Sequence, residues 1–143
     1  MKILITGCAG FLGYHLCQKI LKTDKNSKII GIDNLNDYYS VAYKKKRLSF
    51  FKDNKKFKFY KIDISNYEKL KNIFKKNRFD IVINLAAQAG VRYSILNPKE
   101  YVNSNILGFF NIAELSRNFN VSKVYYASSS SVYGEKKKFP LKE

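Results

Sequence analysis

The stretch that most constrains this chain is Lys2 to Gly13, KILITGCAGFLG. Ile3, Leu4 and Ile5 suit a strand buried on both faces. Gly7, Gly10 and Gly13 follow as G-x-x-G-x-x-G, and Phe11, Leu12, Leu16, Ile20 and Leu21 then recur at helical spacing. Strand, glycine turn and helix in that order form a phosphate cradle. Gly7 permits the tight turn, Gly10 lets backbone approach a pyrophosphate, and Gly13 lets the helix pack close to the strand. The helix N-terminus adds unpaired N–H groups and the positive end of its dipole. Three glycines alone fit an incidental turn equally well. Asp33 decides between the two readings: it ends the next apolar run, Lys28-Ile-Ile-Gly-Ile-Asp33, twenty residues after Gly13. That is the spacing of an acid that grips adenosine ribose hydroxyls, so the sequence predicts a dinucleotide site. Asp33 would also repel a 2′-phosphate, and Asn34 rather than arginine follows it, which favours NAD over NADP.

At 143 residues, with 45% hydrophobic and 15% aromatic residues, the chain is expected to form one globular domain with a single core. No signal peptide or membrane-length apolar run is visible. Cys8 and Cys17 show no C-x-x-C spacing and no histidine cluster, so a reduced, cytoplasmic setting without metal is the plain reading. Cys8 sits beside the cradle, where a helix N-terminus can favour a thiolate. On that geometry a bound dinucleotide should slow alkylation of Cys8 more than of Cys17, although for function a small residue filling a tight loop is the preferred reading of Cys8. The net charge of +16 raises the question of nucleic acid. Lysines far outnumber arginines, however, and runs such as Lys44-Lys45-Lys46-Arg47 and Lys136-Lys137-Lys138 accompany no base-reading motif. They read as solvated faces.

Apolar runs and helical patterns alternate along the rest of the chain. A polar loop (Asn34–Ser40) precedes a basic helix reaching about Asn54, and Phe57–Ile62 reads as a strand. Asn66–Asn77 is an amphipathic helix with Tyr67, Leu70, Ile73 and Phe74 on one face. Ile81–Ala87 is a strand running into a loop. Asn97 as cap and Pro98 at the first position open one long helix to about Asn120, and Val124–Ser128 forms a fifth strand. The alternation predicts an α/β doubly wound parallel sheet, Rossmann-like, in the order 3-2-1-4-5. The fifth strand would leave Val124-Tyr125-Tyr126 on an uncovered edge that favours aggregation. Ligands would meet the carboxyl ends of the strands: Gly7–Gly10, Asp33–Asn36, Asp63–Ile64, Leu85–Tyr93 and Ser128–Gly134. Asp63 also fits a turn former, Asn84 a satisfied core polar group, His15 a structural position on the first helix, and Ser128–Ser131 a plain serine-rich turn.

With Asp33-Asn-Leu-Asn-Asp-Tyr-Tyr39, Leu85-Ala-Ala-Gln-Ala-Gly-Val-Arg-Tyr-Ser94 and Ser128-Ser-Ser-Ser-Val-Tyr-Gly134 added, the chain resembles the extended short-chain dehydrogenases/reductases. Among these it is most similar to NAD-dependent nucleotide-sugar epimerases of the UDP-glucuronate 4-epimerase type. The likeness runs from Met1 to Glu143 and matches only the N-terminal part of such enzymes. It implies residues 1–143 as an incomplete NAD(P)-binding Rossmann domain, with the remaining strands and the substrate domain absent.

The resemblance places the pyrophosphate on Gly7, Gly10, Phe11, Leu12 and Gly13, the ribose on Asp33 with Asn34, and adenine on Asp63 and Ile64. Leu85, Ala86 and Ala87 would line the cofactor channel with Ser104 and Asn105 behind it. Gln88, Arg92, Tyr93 and Ser130 would meet the UDP-sugar, and Ser129 would bond the sugar hydroxyl being oxidised. Family chemistry is a transient oxidation at the sugar's 4-position, in which a tyrosine phenolate takes the hydroxyl proton and hydride passes to NAD. The 4-keto sugar turns, and hydride returns to the other face.

The tyrosine's partner is a lysine four residues on. Tyr67/Lys71 and Tyr133/Lys137 have that spacing, but the first pair precedes the fourth strand and Gly134 interrupts the second. The expectation is therefore a chain that is inactive alone, poorly soluble, weak in NAD binding, and part of a homodimer when complete. A 4,6-dehydratase would need acids where Ser130 and Ser131 stand. A non-catalytic nucleotide-binding remnant is the other alternative.

Overall fold

The computed structural model describes residues 1–135 and 139–141. Lys137, half of the second tyrosine–lysine pair, lies outside the described residues. Five strands, β1 (Lys2–Thr6), β2 (Lys28–Asp33), β3 (Phe57–Lys61), β4 (Ile81–Asn84) and β5 (Lys123–Tyr126), form one parallel sheet in the order 3-2-1-4-5. The order follows from the alternation: each parallel neighbour needs a crossover, and the helices α1 (Phe11–Thr23), α2 (Val41–Ser49), α3 (Tyr67–Lys76) and α6 (Phe109–Asn118) supply them. Between α3 and α6 lie two short helices, α4 (Val91–Leu96) and α5 (Pro98–Tyr101), and a π-helical stretch over Val102–Gly108.

Side chains of β1 and β2 divide between two cores, one on each face of the sheet. Ile3, Ile5 and Ile29 join Tyr14 and Cys17 of α1 and Phe51 on one face. Leu4, Ile30 and Ile32 join Leu70, Ile73 and Phe74 of α3 and Ile112 and Leu115 of α6 on the other. Burial on both faces is why these strands read as unbroken apolar runs. The expected α3 face is the buried one, and Asn66 caps the helix by accepting the N–H of Lys69 at 3.0 Å. Each fully buried leucine or phenylalanine here contributes about 1.5–3 kcal/mol. β5 pairs with β4, and all four of its residues are exposed.

Several boundaries differ from the sequence reading. α2 stops at Ser49 rather than near Asn54, because Phe51 turns inward against Phe57 and Tyr14, with ring centroids 4.5 and 5.5 Å apart. β4 stops at Asn84 and β5 at Tyr126, each shorter than expected. The expected long helix runs continuously from Pro98 to Asn118, but its middle, Val102–Gly108, is π-helical. Val91–Leu96, read as loop, is helical, and Asn97 before Pro98 leaves helical geometry at φ −134°, as proline's predecessor must. Asn97 makes no side-chain cap. After α5 the chain widens into the π-helical stretch, where Gly108 lies so close to Ile64 that a Cβ would stand 2.5 Å from its Cγ1.

Candidate functional site

β1 ends in a turn that only glycine can make at two places. Gly7 takes φ +67°, and an added Cβ would meet Ala86 N at 2.9 Å. At Gly13 an added Cβ would stand 2.2 Å from the Gly7 carbonyl oxygen. α1 therefore begins directly over the turn. Its first N–H groups, at Phe11, Leu12 and Gly13, have no preceding helical carbonyl to bond.

Asp33 closes the turn from β2. Its Oδ2 accepts the Ala9 N–H at 3.2 Å and its Oδ1 the Leu35 N–H at 2.8 Å. On the other side, the Thr6 hydroxyl donates to Asn84 Oδ1 at 2.6 Å and accepts the N–H groups of Leu85 and Ala86 at 3.2 and 3.1 Å. Asn84 is thus the satisfied core polar group expected of it. The ends of three neighbouring strands are locked by side chains rather than by the ladder alone.

Two asparagines reach back from the segment before β5. Asn105 accepts the Gln88 N–H at 2.8 Å and donates to its carbonyl at 2.9 Å, and Asn111 donates to the carbonyls of Ile64 and Ser65, both at 3.0 Å. Asp63 accepts from Asn34 Nδ2 at 2.8 Å, from Ser65 N at 2.9 Å and from Ser65 Oγ at 2.7 Å. Burial works against the Asp63 charge, yet the donors of Asn34 and Ser65 prevail and hold its carboxyl below the usual range.

These segments enclose a cleft of about 310 Å³ at the carboxyl ends of the strands. Gly7, Gly10, Phe11, Leu12 and Gly13 line one wall, and Asp33, Asn34, Asp63 and Ile64 another. Leu85, Ala86, Ala87, Gln88 and Ser104 line a third. The remaining expected positions lie elsewhere. Arg92 is exposed on α4, and the Tyr93 ring packs at a tilt between Tyr38 and Tyr101, with centroids 4.7 and 6.3 Å away. Ser129 and Ser130 are exposed beyond the cleft, which β5's end reaches through Ala127. Ser129 Oγ accepts the Ser131 N–H at 3.2 Å and so caps a short turn of 3₁₀ helix over Ser130–Tyr133. Gln88 is buried, its side chain occupied by Asn36 Nδ2 at 3.4 Å and the Ala89 carbonyl at 3.3 Å.

Beyond the expected Asp33–Asn36 loop, further residues of the site escaped the sequence reading. Tyr38, Tyr39 and Lys44 line the cleft, and Arg47 donates to the Ala9 carbonyl at 3.1 Å. Lys44, read as part of a solvated run, is 6% exposed. The signal was available: Val41, Lys44 and Leu48 share a helical face. Cys8 also needs correction. It lies in the core under Gly31, where an added Cβ would stand 2.7 Å from the sulfur, and burial pushes its thiol well above the ordinary range. Desolvation disfavours a thiolate beside the cradle.

The family model described as GDP-mannose 4,6 dehydratase matches residues 4–143. The chain belongs to this family. Within it, the chain is 55% identical over 135 residues to Protein CapI of Staphylococcus aureus, covering 94% of this chain and 39% of that protein. It is 48% identical over 130 residues to the UDP-glucuronate 4-epimerase of Thermodesulfobacterium geofontis, covering 91% and 40%. A solved structure, UDP-glucuronic acid 4-epimerase from Bacillus cereus in complex with UDP-glucuronic acid and NAD, superposes with a TM-score of 0.86 at 36% identity, covering 96% of this chain and 43% of that one. The chain therefore spans about 40% of the length of these family members, at their N-terminal side.

Proposed function

We propose that the chain is the cofactor-holding part of an NAD-dependent nucleotide-sugar 4-epimerase that interconverts UDP-glucuronate and UDP-galacturonate. One observation carries this reading: Asp33 and the glycine turn share one cleft and are bonded to each other, as ribose and pyrophosphate recognition require. The fit of a dinucleotide rests on the same turn, where a Cβ on Gly10 would already stand 3.1 Å from the Gly7 carbonyl. Gly7, Gly10 and the first N–H groups of α1 would take the pyrophosphate. Asp33 would bond the ribose, Asp63 and Ile64 would meet the adenine, and Leu85–Ala87 with Ser104 would line the channel. When bound, NAD supplies an acceptor and donor of hydride.

The sugar end is the less complete one. Gln88, Arg92, Tyr93 and Ser130 would meet the sugar nucleotide, and Ser129 would bond the reacting hydroxyl. In this reading neither Tyr67 nor Tyr133 is the base, which is supported by Tyr67 packing on the α3 core with Lys71 over its ring and by Gly134, φ +65°, following Tyr133. Without a general base, worth about 10²–10⁴-fold, the chain alone is inactive. The complete enzyme would be a homodimer in the cytoplasm, a compartment that suits two buried free thiols. Among the described residues no helix is long and apolar enough to cross a membrane.

The test is to assay the chain with UDP-glucuronate and NAD, alone and with a polypeptide carrying Tyr-x-x-x-Lys and a substrate domain. UDP-galacturonate should form only in the second case. A 4-keto-6-deoxy product there would identify a dehydratase, and no product with NAD still bound would identify a non-catalytic binding remnant.

A further inference from the structure

A second concavity, of about 600 Å³, lies between the exposed side of α1 and the turn that follows α2. It shares no lining residue with the cofactor cleft. Phe51, buried in the core, closes its floor, and Phe50, 64% exposed, stands on its rim. The Phe50 ring is held in place: its centroid lies 5.8 Å from that of Tyr14, whose hydroxyl accepts from Gln18 Nε2 at 2.7 Å. On the opposite rim His15, Lys19 and Lys22 follow at intervals of four and three, so they share one exposed stripe of α1. Asn54 closes the end of the groove and is itself ordered, its N–H donating to the Phe51 carbonyl at 3.0 Å and its Oδ1 accepting the Lys56 N–H at 2.9 Å. Among the described residues, none that lines the groove is acidic. Asp24, just past Lys22, has both oxygens engaged by Asn26 and Ser27.

We propose that this groove docks an acidic segment of a partner protein, with an apolar side chain of that segment on Phe50 and its carboxylates against Lys19 and Lys22. Charge selects the partner. Two ammonium groups flank a groove without a carboxylate, in a chain of net charge +16, so an anionic segment is drawn in and a second copy of the chain is repelled. Shape selects a protein segment over a lipid surface, which is flat and would leave the floor at Phe51 unfilled. A phenylalanine already held against Tyr14 is an anchor that loses little freedom on binding. Docking here leaves the cleft open, and so stands apart from nucleotide binding.

The test is fluorescence anisotropy of a labelled glutamate-rich peptide carrying one phenylalanine, titrated with the 143-residue chain. The peptide should bind, and more weakly as salt rises. Counterparts with glutamine for glutamate, or without the phenylalanine, should bind less tightly by about fivefold or more. Lys19→Glu with Lys22→Glu, and separately Phe50→Ala, should each weaken the original peptide by about fivefold or more. Lys69→Glu with Lys75→Glu makes the same change of charge at exposed positions of α3, which packs on the other face of the sheet. That pair should cost under about twofold. Shifts of the Gln18 and Asn54 side-chain amide signals on adding peptide should locate the contact without any variant. Equal losses from the two charge reversals would reduce the attraction to net charge and overturn the proposal. Absence of binding, an unchanged affinity in Phe50→Ala, or unshifted Gln18 and Asn54 signals would overturn it too. Phosphatidylserine vesicles that bind through Lys19, Lys22 and Phe50 while the peptide does not would assign the surface to a membrane instead.

Discussion

Asp33 Oδ2 accepts the N–H of Ala9 at 3.2 Å, so the carboxylate proposed to meet a ribose also ties the glycine turn to β2. Its other oxygen holds Leu35, a non-glycine residue at φ +55°. Asp33→Ala should therefore lower stability even without ligand, by about 1–3 kcal/mol, because two N–H groups lose their acceptor. Urea unfolding measures this. An unchanged midpoint would mean that the turn stands without Asp33.

The Thr6 hydroxyl is the corresponding lock between β1 and β4. Thr6→Val keeps the shape but leaves Asn84 Oδ1 and the N–H groups of Leu85 and Ala86 without a partner. The expected loss is at least about 2 kcal/mol, larger than for a surface threonine. Faster amide exchange at Leu85 and Ala86 should accompany it.

Glycine substitutions should separate close approach from mere turn preference. A Cβ at Gly13 would lie 2.2 Å from the Gly7 oxygen, against 3.1 Å at Gly10. Overpacking against fixed backbone costs about 1–3 kcal/mol and sometimes more. Gly13→Ala should fall at or above the top of that range and Gly10→Ala near its bottom. Thermal melts showing the reverse order would contradict the described seating of α1.

The pH response has two limbs of opposite sign. Asp63 is held below its ordinary 3.8 by Asn34 and Ser65 despite its burial, so its contribution is present above that value and is lost as pH falls through the lower folded one. Burial pushes Cys17 up to about 12 and Cys8 higher. Folded chains keep these protons while unfolded ones release them above about pH 9. Stability should thus decline as pH rises from about 9 towards 12. Asp63→Asn should flatten the acid limb and Cys17→Ala the alkaline one. In native protein both thiols should react with a disulfide reagent only as fast as the fold opens, with or without NAD.

The sheet order, the two-faced burial of β1 and β2 and the α3 face were legible because period and apolar runs report burial directly. Asp33 and the glycines were legible because their spacing is set by backbone geometry. Lys44 was not, since a buried lysine inside Lys44-Lys45-Lys46-Arg47 has the composition of a solvated run and only its position beside Leu48 differs. The short helix ending at Leu96 was hidden for a related reason. Asn-Pro marks a helix start, but it does not show that another helix ends there, and the π-helical widening answers to tertiary contacts at Ile64 and Gln88 that no local pattern contains. Cys8 illustrates the limit of argument from motif: it sits in the glycine turn by sequence and in the core by side-chain direction.

The most direct measurement is the calorimetric affinity of the 143-residue chain for NAD and for NADP, in wild type and in Asp33→Ala. Wild type should bind NAD at least about tenfold more tightly than NADP, since charge-assisted hydrogen bonds are worth roughly 1.5–3 kcal/mol and a 2′-phosphate would be repelled. Asp33→Ala should weaken NAD by a similar factor and narrow the difference between the two. Equal affinity for both in wild type, or no binding of either, would contradict a dinucleotide site at this cleft.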